Sequence, residues 1–262
     1  MPEELSAHRA RLLAHARNII DMERGDRMPL ELKLKHTRMV LANAQDIIAG
    51  EGLAGHAARG AWLGALYHDL GRFSQYARFH TFRDRDSCNH GLLGVKLLKR
   101  GSYLAGEEAR ARRLTLLAVG LHNRFALPAG LGEEESRVAR VVRDADKLDI
   151  LRIMDAHLSG PGQYNPTVVL SLPDTDEFHS PRVIEAALAG RTAAYADLRT
   201  VNDFRLLLGS WFFDLSFDTA RRRLARDGHA RNLLAGLPPA GPHARARDML
   251  LGRLEAESAV WR

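Results

Sequence analysis

Four histidines and one aspartate of this sequence fall on faces of predicted helices that are otherwise apolar. His36, for example, lies four residues after Leu32 and four residues before Val40, so it belongs to the inward face of its helix. Burial of an unpaired carboxylate or of several imidazoles costs free energy unless these groups are hydrogen-bonded or bind a metal. A single inward histidine is usually a hydrogen-bonded core residue, but the repetition here favours a metal site. The members of the set are His36, His68, His90, His122 and Asp146.

The adjacent pair His68-Asp69 adds a second carboxylate to this set. A carboxylate has two oxygens and can bridge two cations, and a neighbouring imidazole can complete the coordination of one of them. Neighbours on a helix point about 100° apart, so both reach a common metal most easily near a helix end, and we expect the helix to end at Gly71. Four imidazoles and two carboxylates are too many ligands for one tetrahedral zinc ion and favour a two-metal site.

The elements that must position these residues are helices. Nearly every segment has helical periodicity, and strands do not alternate with helices, so we predict an all-α fold. The one plausible strand is 167–170. Besides the helix that carries His36, the predicted helices are 54–70, 90–99, 107–122, 134–155, 181–188, 204–226 and 243–257.

A change of composition near Gly160 predicts two domains. Residues 1–160 would form a metal-binding helical bundle, and residues 161–262 a mostly helical extension packed on it. A single domain with a long loop at this point is the alternative. Two alternatives also stay open within the first region: Asp144 rivals Asp146 as a ligand, and the segment FRDRDS around Asp84 is either a phosphate-binding cover of the site or a solvated run of charges.

The composition of the 262 residues is that of a folded protein in a reducing compartment, and we expect the cytoplasm. Cys88 is the only cysteine, so an internal disulfide is excluded. No apolar run approaches the roughly 18 residues of a membrane span, so no membrane partner is expected. The net charge of +6 comes from dispersed arginines, a distribution that does not favour nucleic acid.

The order of the candidate ligands resembles the pattern of the HD-domain superfamily of metal-dependent phosphohydrolases. That pattern is a histidine, an HD pair, two further histidines in dinuclear members, and an aspartate. The matching segments are LKLKHTRMV around His36, LYHDLGRF around His68 and Asp69, CNHGLLGV around His90, VGLHNRF around His122, and RDADKLD around Asp146. The resemblance covers residues 30–153 and not the last hundred residues.

The resemblance implies an HD-domain helical fold and two divalent transition-metal ions, drawn from iron, manganese, nickel, cobalt and zinc. The first ion would be held by His36, His68, Asp69 and Asp146. The second would be held by His90 and His122, with Asp69 bridging. A metal-bridging hydroxide would be the nucleophile, because metal-bound water loses its proton near neutral pH. Arg72 would face the substrate phosphate, and the substrate would be a nucleotide or another small phosphorylated metabolite.

Two other functions are compatible with the same residues. Myo-inositol oxygenase and its relatives use a similar six-ligand set to hold a di-iron centre. A non-catalytic signalling or binding module could also derive from an HD domain, although such modules usually lose ligands. Arg72 and the positive net charge favour a phosphate substrate, and retention of all six ligands favours catalysis.

Overall fold

The structure of the protein, a computed structural model, describes residues 3–160 and 170–260. These residues form α-helices and short 3-10 helices, and no strand occurs among them, which confirms the all-α prediction. Most of the predicted strand 167–170 lies outside the described residues, and its last member, Leu170, is in a turn. Among these residues, no helix combines the length and the hydropathy that a membrane span requires.

Twelve α-helices occur among the described residues. The first seven are α1 (Glu3–Met22), α2 (Met28–Gly50), α3 (Gly55–Tyr67), α4 (Leu70–Phe79), α5 (His90–Arg100), α6 (Ala109–Leu121) and α7 (Glu133–Leu158). The others are α8 (Pro181–Leu188), α9 (Val201–Ser210), α10 (Asp218–Asp227), α11 (His229–Ala235) and α12 (Ala244–Val260). A 3-10 helix, Asp84–Asp86, lies between α4 and α5.

The chain divides into two compact units, Met1–Asp146 and Lys147–Arg262, and the division falls inside α7. All six predicted ligands belong to the first unit. The domain boundary predicted at residue 160 stays a prediction.

Helix α3 is the buried centre of the first unit, and α6 packs closely along it. A Cβ on Gly60 would lie 2.7 Å from the Cβ of Leu114, and one on Gly64 would lie 3.0 Å from the Cβ of Ala118. The residue numbers of these contacting pairs increase in the same direction along both helices, so α3 and α6 run parallel. Their carboxyl ends therefore lie at the same end of the unit, and each helix is followed at once by a predicted ligand histidine.

Gly71 does not end a helix, contrary to the prediction. Helix α3 ends at Tyr67 and α4 begins at Leu70, so the HD pair forms a two-residue junction. A Cβ on Gly71 would lie 2.2 Å from the carbonyl oxygen of His90. The glycine is thus required because α4 packs directly against the start of α5, a contact between helices that local sequence does not show.

The second unit departs from the predicted helices in the stretch 204–226 and in α11, which none of the predicted ranges covers. The stretch 204–226 is interrupted by a 3-10 helix, Trp211–Asp214, and by an extended segment before α10. On a continuous helix Phe217 would point about 200° away from Leu215. The interruption allows both side chains to be buried. Helix α9 itself is buried along its whole length and begins with a capping box formed by Thr200 and Asp203.

Candidate metal centre

The carboxylate of Asp69 lies between two pairs of imidazoles. Its Oδ2 is 3.6 Å from Nε2 of His36 and 3.5 Å from Nε2 of His68. Its Oδ1 is 3.4 Å from Nε2 of His90 and 3.7 Å from Nε2 of His122. Each oxygen therefore faces a different pair of nitrogen donors, which is the arrangement that a bridging carboxylate needs.

Asp146 lies beside the first of these pairs. Its Oδ1 is 3.1 Å from Nε2 of His36 and 3.8 Å from Nε2 of His68, and its side chain is 17% exposed. The structure thus brings all six predicted ligands together. Two groups of three have donor atoms within 4.8 Å of one another, and they share Asp69: His36 with His68 and Asp69, and Asp69 with His90 and His122. Neither Asp146 nor its buried rival Asp144 belongs to these two groups, and Asp146 is favoured by its contacts with His36 and His68.

Two of the histidines are oriented by the last turn of the helix that precedes them. Nδ1 of His68 lies 2.8 Å from the carbonyl oxygen of Ala65, and Nδ1 of His122 lies 2.8 Å from that of Val119. A carbonyl oxygen can only accept a hydrogen bond, so Nδ1 carries the proton in both rings. The lone pair is consequently on Nε2, the atom that faces Asp69. This is the usual arrangement of a metal-binding histidine.

His90 is oriented by a carboxylate rather than by a carbonyl. Both oxygens of Asp84 lie 2.8 Å from its Nδ1. Asp84 also accepts hydrogen bonds from Gln75 and from Asn123 Nδ2. In the segment FRDRDS, the side chain of Asp84 therefore points toward the pair formed by His90 and His122. Arg83 of the same segment pairs with the exposed Asp86. This role of Asp84 was missed, since nothing in the local sequence distinguishes it from its charged neighbours.

Arg72 lies between the carboxylates of Asp69 and Asp84. Its Nε is 3.6 Å from Oδ1 of Asp69, and its Nη1 donates to Asp84, Gln75 and the carbonyl oxygen of Phe82. The side chain is 15% exposed, and its Nε has no hydrogen-bond partner. Contact between Arg72 and a substrate phosphate stays a prediction.

A second cation, Lys33, was missed by the sequence analysis. Its Nζ lies 2.9 Å from Oδ2 of Asp69. Lys33 precedes His36 by three residues on α2, so both share one helix face. That spacing is the signal that could have identified it.

The protonation states of the centre match what a metal needs. Burial lowers the pKa values of His68 and His90 to about 4, so both rings are neutral at physiological pH. Burial would raise the pKa of Asp69, but Lys33 and the neighbouring imidazoles hold it well below its usual value. Metal ions require neutral imidazoles and ionised carboxylates, so these residues fit divalent ions.

Buried polar contacts also fix the helices that carry the ligands. Asn43 of α2 donates from Nδ2 to the carbonyl oxygen of Ala145, which precedes Asp146. Arg143 of α7 donates to the carbonyl oxygens of His122 and Phe125, just after the end of α6. These contacts tie α2 and the end of α6 to the same stretch of α7.

The comparisons with known proteins agree with this geometry. The family pattern described as HD domain matches residues 34–151. This stretch of the chain, 34–151, has the sequence pattern of an HD domain. This confirms the resemblance stated from the sequence, and the matched stretch includes all six candidate ligands. HD-domain proteins are generally metal-dependent phosphohydrolases. No curated protein and no solved structure matches the chain.

Proposed function

We propose that this protein is a phosphohydrolase that uses two divalent metal ions to cleave a phosphate ester of a nucleotide or of another small phosphorylated metabolite. The observation that carries the proposal is the position of Asp69. Its two oxygens face two separate pairs of imidazole Nε2 atoms, so one carboxylate can serve two ions.

The donor set fits borderline transition metals. His36, His68, Asp69 and Asp146 would hold one ion, and His90 and His122 would share Asp69 with the other. Imidazole nitrogens with carboxylate oxygens suit iron, manganese, cobalt, nickel and zinc. Bound at these residues, such ions would supply Lewis acidity and a hydroxide at neutral pH.

The cations beside the centre support a phosphate substrate. Lys33 and Arg72 approach opposite oxygens of Asp69, and both side chains are partly accessible. Positive groups at the rim of a metal site attract an anionic ester and neutralise charge that develops on phosphoryl oxygens. Their presence favours phosphoryl chemistry over oxidation of an uncharged polyol.

The test combines metal analysis with two activity measurements on one preparation. Protein purified without chelators is analysed for bound elements. It is then assayed for phosphate release from nucleotides and sugar phosphates, and for oxygen uptake with polyols. We expect two metal ions per chain and phosphate release that is lost in Asp69→Asn. Oxygen uptake without phosphate release would identify a di-iron oxygenase instead, and neither activity with full metal content would favour a binding module.

A further inference from the structure

Lys33 occupies a position at the metal centre that the six-ligand pattern does not explain. It lies just before the stretch that matches the HD domain, which begins at residue 34. Its ammonium nevertheless contacts the central carboxylate directly, at 2.9 Å from Oδ2 of Asp69. That oxygen is the one that faces His36 and His68.

The ion pair between Lys33 and Asp69 cannot persist unchanged when divalent ions are bound. One lone pair of Oδ2 would then be used for coordination, which leaves less negative charge for the ammonium, and the ammonium would lie close to a dication. Like charges a few ångströms apart in a partly buried site repel one another strongly. The ammonium therefore needs another anion close to the centre.

Of the two cations beside Asp69, Lys33 is the one that is free to change partner. The guanidinium of Arg72 is held by Asp84, Gln75 and the carbonyl oxygen of Phe82. The ammonium of Lys33, in contrast, has Asp69 as its hydrogen-bond partner among the described residues, and it lies 5.5 Å from the ring centre of Phe82. Its side chain is 24% exposed and has a flexible four-carbon stem.

We propose that Lys33 is a substrate-binding residue, which pairs with Asp69 in the metal-free protein and with a phosphoryl oxygen of the substrate once metal ions have taken its place. The proposal rests on the proposed function, because it assigns a ligand to that same site. A phosphate monoester dianion is the chemical class that fits, since it offers charge and several acceptor oxygens to one compact ammonium.

The experiment measures binding rather than turnover. Lys33→Met removes the charge and keeps much of the stem, and Lys33→Arg keeps the charge. Lys35→Met on the exposed side of α2 is the matched control. Each protein is titrated with Mn²⁺ by calorimetry. It is then freed of excess metal and titrated with inorganic phosphate, and circular dichroism verifies the helical fold of every variant.

In Lys33→Met we expect Mn²⁺ to bind at least as tightly as in the wild type, because a competing cation has been removed. We expect phosphate binding to the loaded protein to weaken roughly 10- to 100-fold, the usual value of a charge-assisted hydrogen bond. Lys35→Met should behave as the wild type, and Lys33→Arg should retain most of the phosphate affinity.

Two results would overturn the inference. Unchanged phosphate binding in Lys33→Met, or none in the loaded wild type, would show that Lys33 does not bind the phosphoryl group. Loss of Mn²⁺ in a folded Lys33→Met protein would show instead that the lysine supports the ligands. Failure of the proposed function is separate: phosphate binding that depends on Lys33, without hydrolysis of any ester, would leave this inference standing and refute the phosphohydrolase.

Discussion

At the scale of single residues, the two oxygens of Asp69 face different pairs of histidines, and each oxygen would be needed for one metal ion. Oδ2 serves His36 and His68, and Oδ1 serves His90 and His122. Removal of any one histidine should therefore weaken one ion, whereas removal of this carboxylate should affect both.

Asp69→Asn tests this arrangement directly. The amide keeps the volume but loses the negative charge that separates two dications, so we expect both ions to be lost together. Elemental analysis should show less than one ion per chain, while circular dichroism retains the helical signal. His122→Ala should keep the first ion and lose the second. An Asp69→Asn protein that is folded and retains two ions would contradict the bridging role.

Asp84 provides a second prediction at this scale. Its carboxylate holds Nδ1 of His90, so Asp84→Asn should leave the ring less well oriented and weaken the second ion by roughly 10- to 100-fold. Competition with a chelator at the second metal equivalent measures this loss. Asp86→Asn is the matched control, because Asp86 belongs to the same 3-10 helix and pairs outward with Arg83. Equal affinities in both variants would exclude the orienting role.

The sequence was sufficient to select the six candidate ligands, which the structure brings together, but it did not identify the residues that orient them. His36 and Asp146 could be recognised because a polar residue on an apolar helix face is visible from periodicity alone. Asp84 gave no such signal, since an acidic residue in a charged loop is ordinary. The spacing of Lys33 from His36 places both on one helix face, but it does not show that Lys33 contacts Asp69. Their roles depend on contacts between segments that are distant in sequence.

At the scale of elements, close helix packing sets the positions of the ligands. Gly60 and Gly64 allow α3 and α6 to run side by side, and this brings the two histidines that follow these helices together. The rings of His68 and His122 are 5.2 Å apart between centres. Gly71 likewise allows α4 to pack closely against the start of α5, the helix that begins at His90.

Gly71→Ala therefore tests whether helix packing controls the centre. The added methyl would overlap the backbone of α5 and must push the two helices apart, so we expect a loss of about 1–3 kcal/mol or more in the free energy of unfolding. Weaker binding of the second metal ion should accompany it. Gly252→Ala in α12 is the control, because no atom lies within 4 Å of its added Cβ. It should be neutral or stabilising by up to about 1 kcal/mol. Urea unfolding of both variants distinguishes the two cases, and equal stability would refute the packing argument.

The helices themselves were largely predictable, and their interruptions were not. Amphipathic periodicity located α2, α5, α6 and α7 within a few residues. It did not show the break between α3 and α4, because the apolar pattern continues through Leu70. Gly71 was assigned to a helix end since its packing partner, the backbone of α5, is not visible in a local window.

At the scale of the whole molecule, the metal-free centre is a cluster of buried ionisable groups, and acid should destabilise it. His68 and His90 have pKa values of about 4 in the folded protein, against about 6.5 in an unfolded chain. Between these values the unfolded state binds more protons, so stability decreases as the pH falls from 6.5 toward 4. Asp69, Asp146, His36 and His122 face these rings, and the lowered pKa values of both carboxylates add a further loss below about pH 4.

The acid sensitivity of the metal-free protein can be measured as the slope of its stability against pH. In the presence of a chelator, the free energy of unfolding should decrease as the pH falls below 7, by at most about 1.4 kcal/mol per pH unit for each of the two histidines. His68→Gln should show a shallower decrease than the wild type, because one of the two groups is gone. His80→Asn should show the wild-type slope, since His80 is 66% exposed, lies outside the centre and has the left-handed backbone that asparagine tolerates. Urea titrations between pH 7 and 5 measure these slopes.

Bound metal should stabilise the folded protein against acid, because it binds the neutral imidazoles of the folded state. A saturating ion at 100 times its dissociation constant adds about 2.7 kcal/mol of stability at neutral pH. This gain should shrink on acidification as protons compete for the ring nitrogens. The wild type should thus show a metal-dependent increase in the urea midpoint at pH 7 that becomes small at pH 5, and Asp69→Asn should show little increase at either pH. A wild-type midpoint that is the same with and without metal at pH 7 would mean that these six residues do not hold the ions.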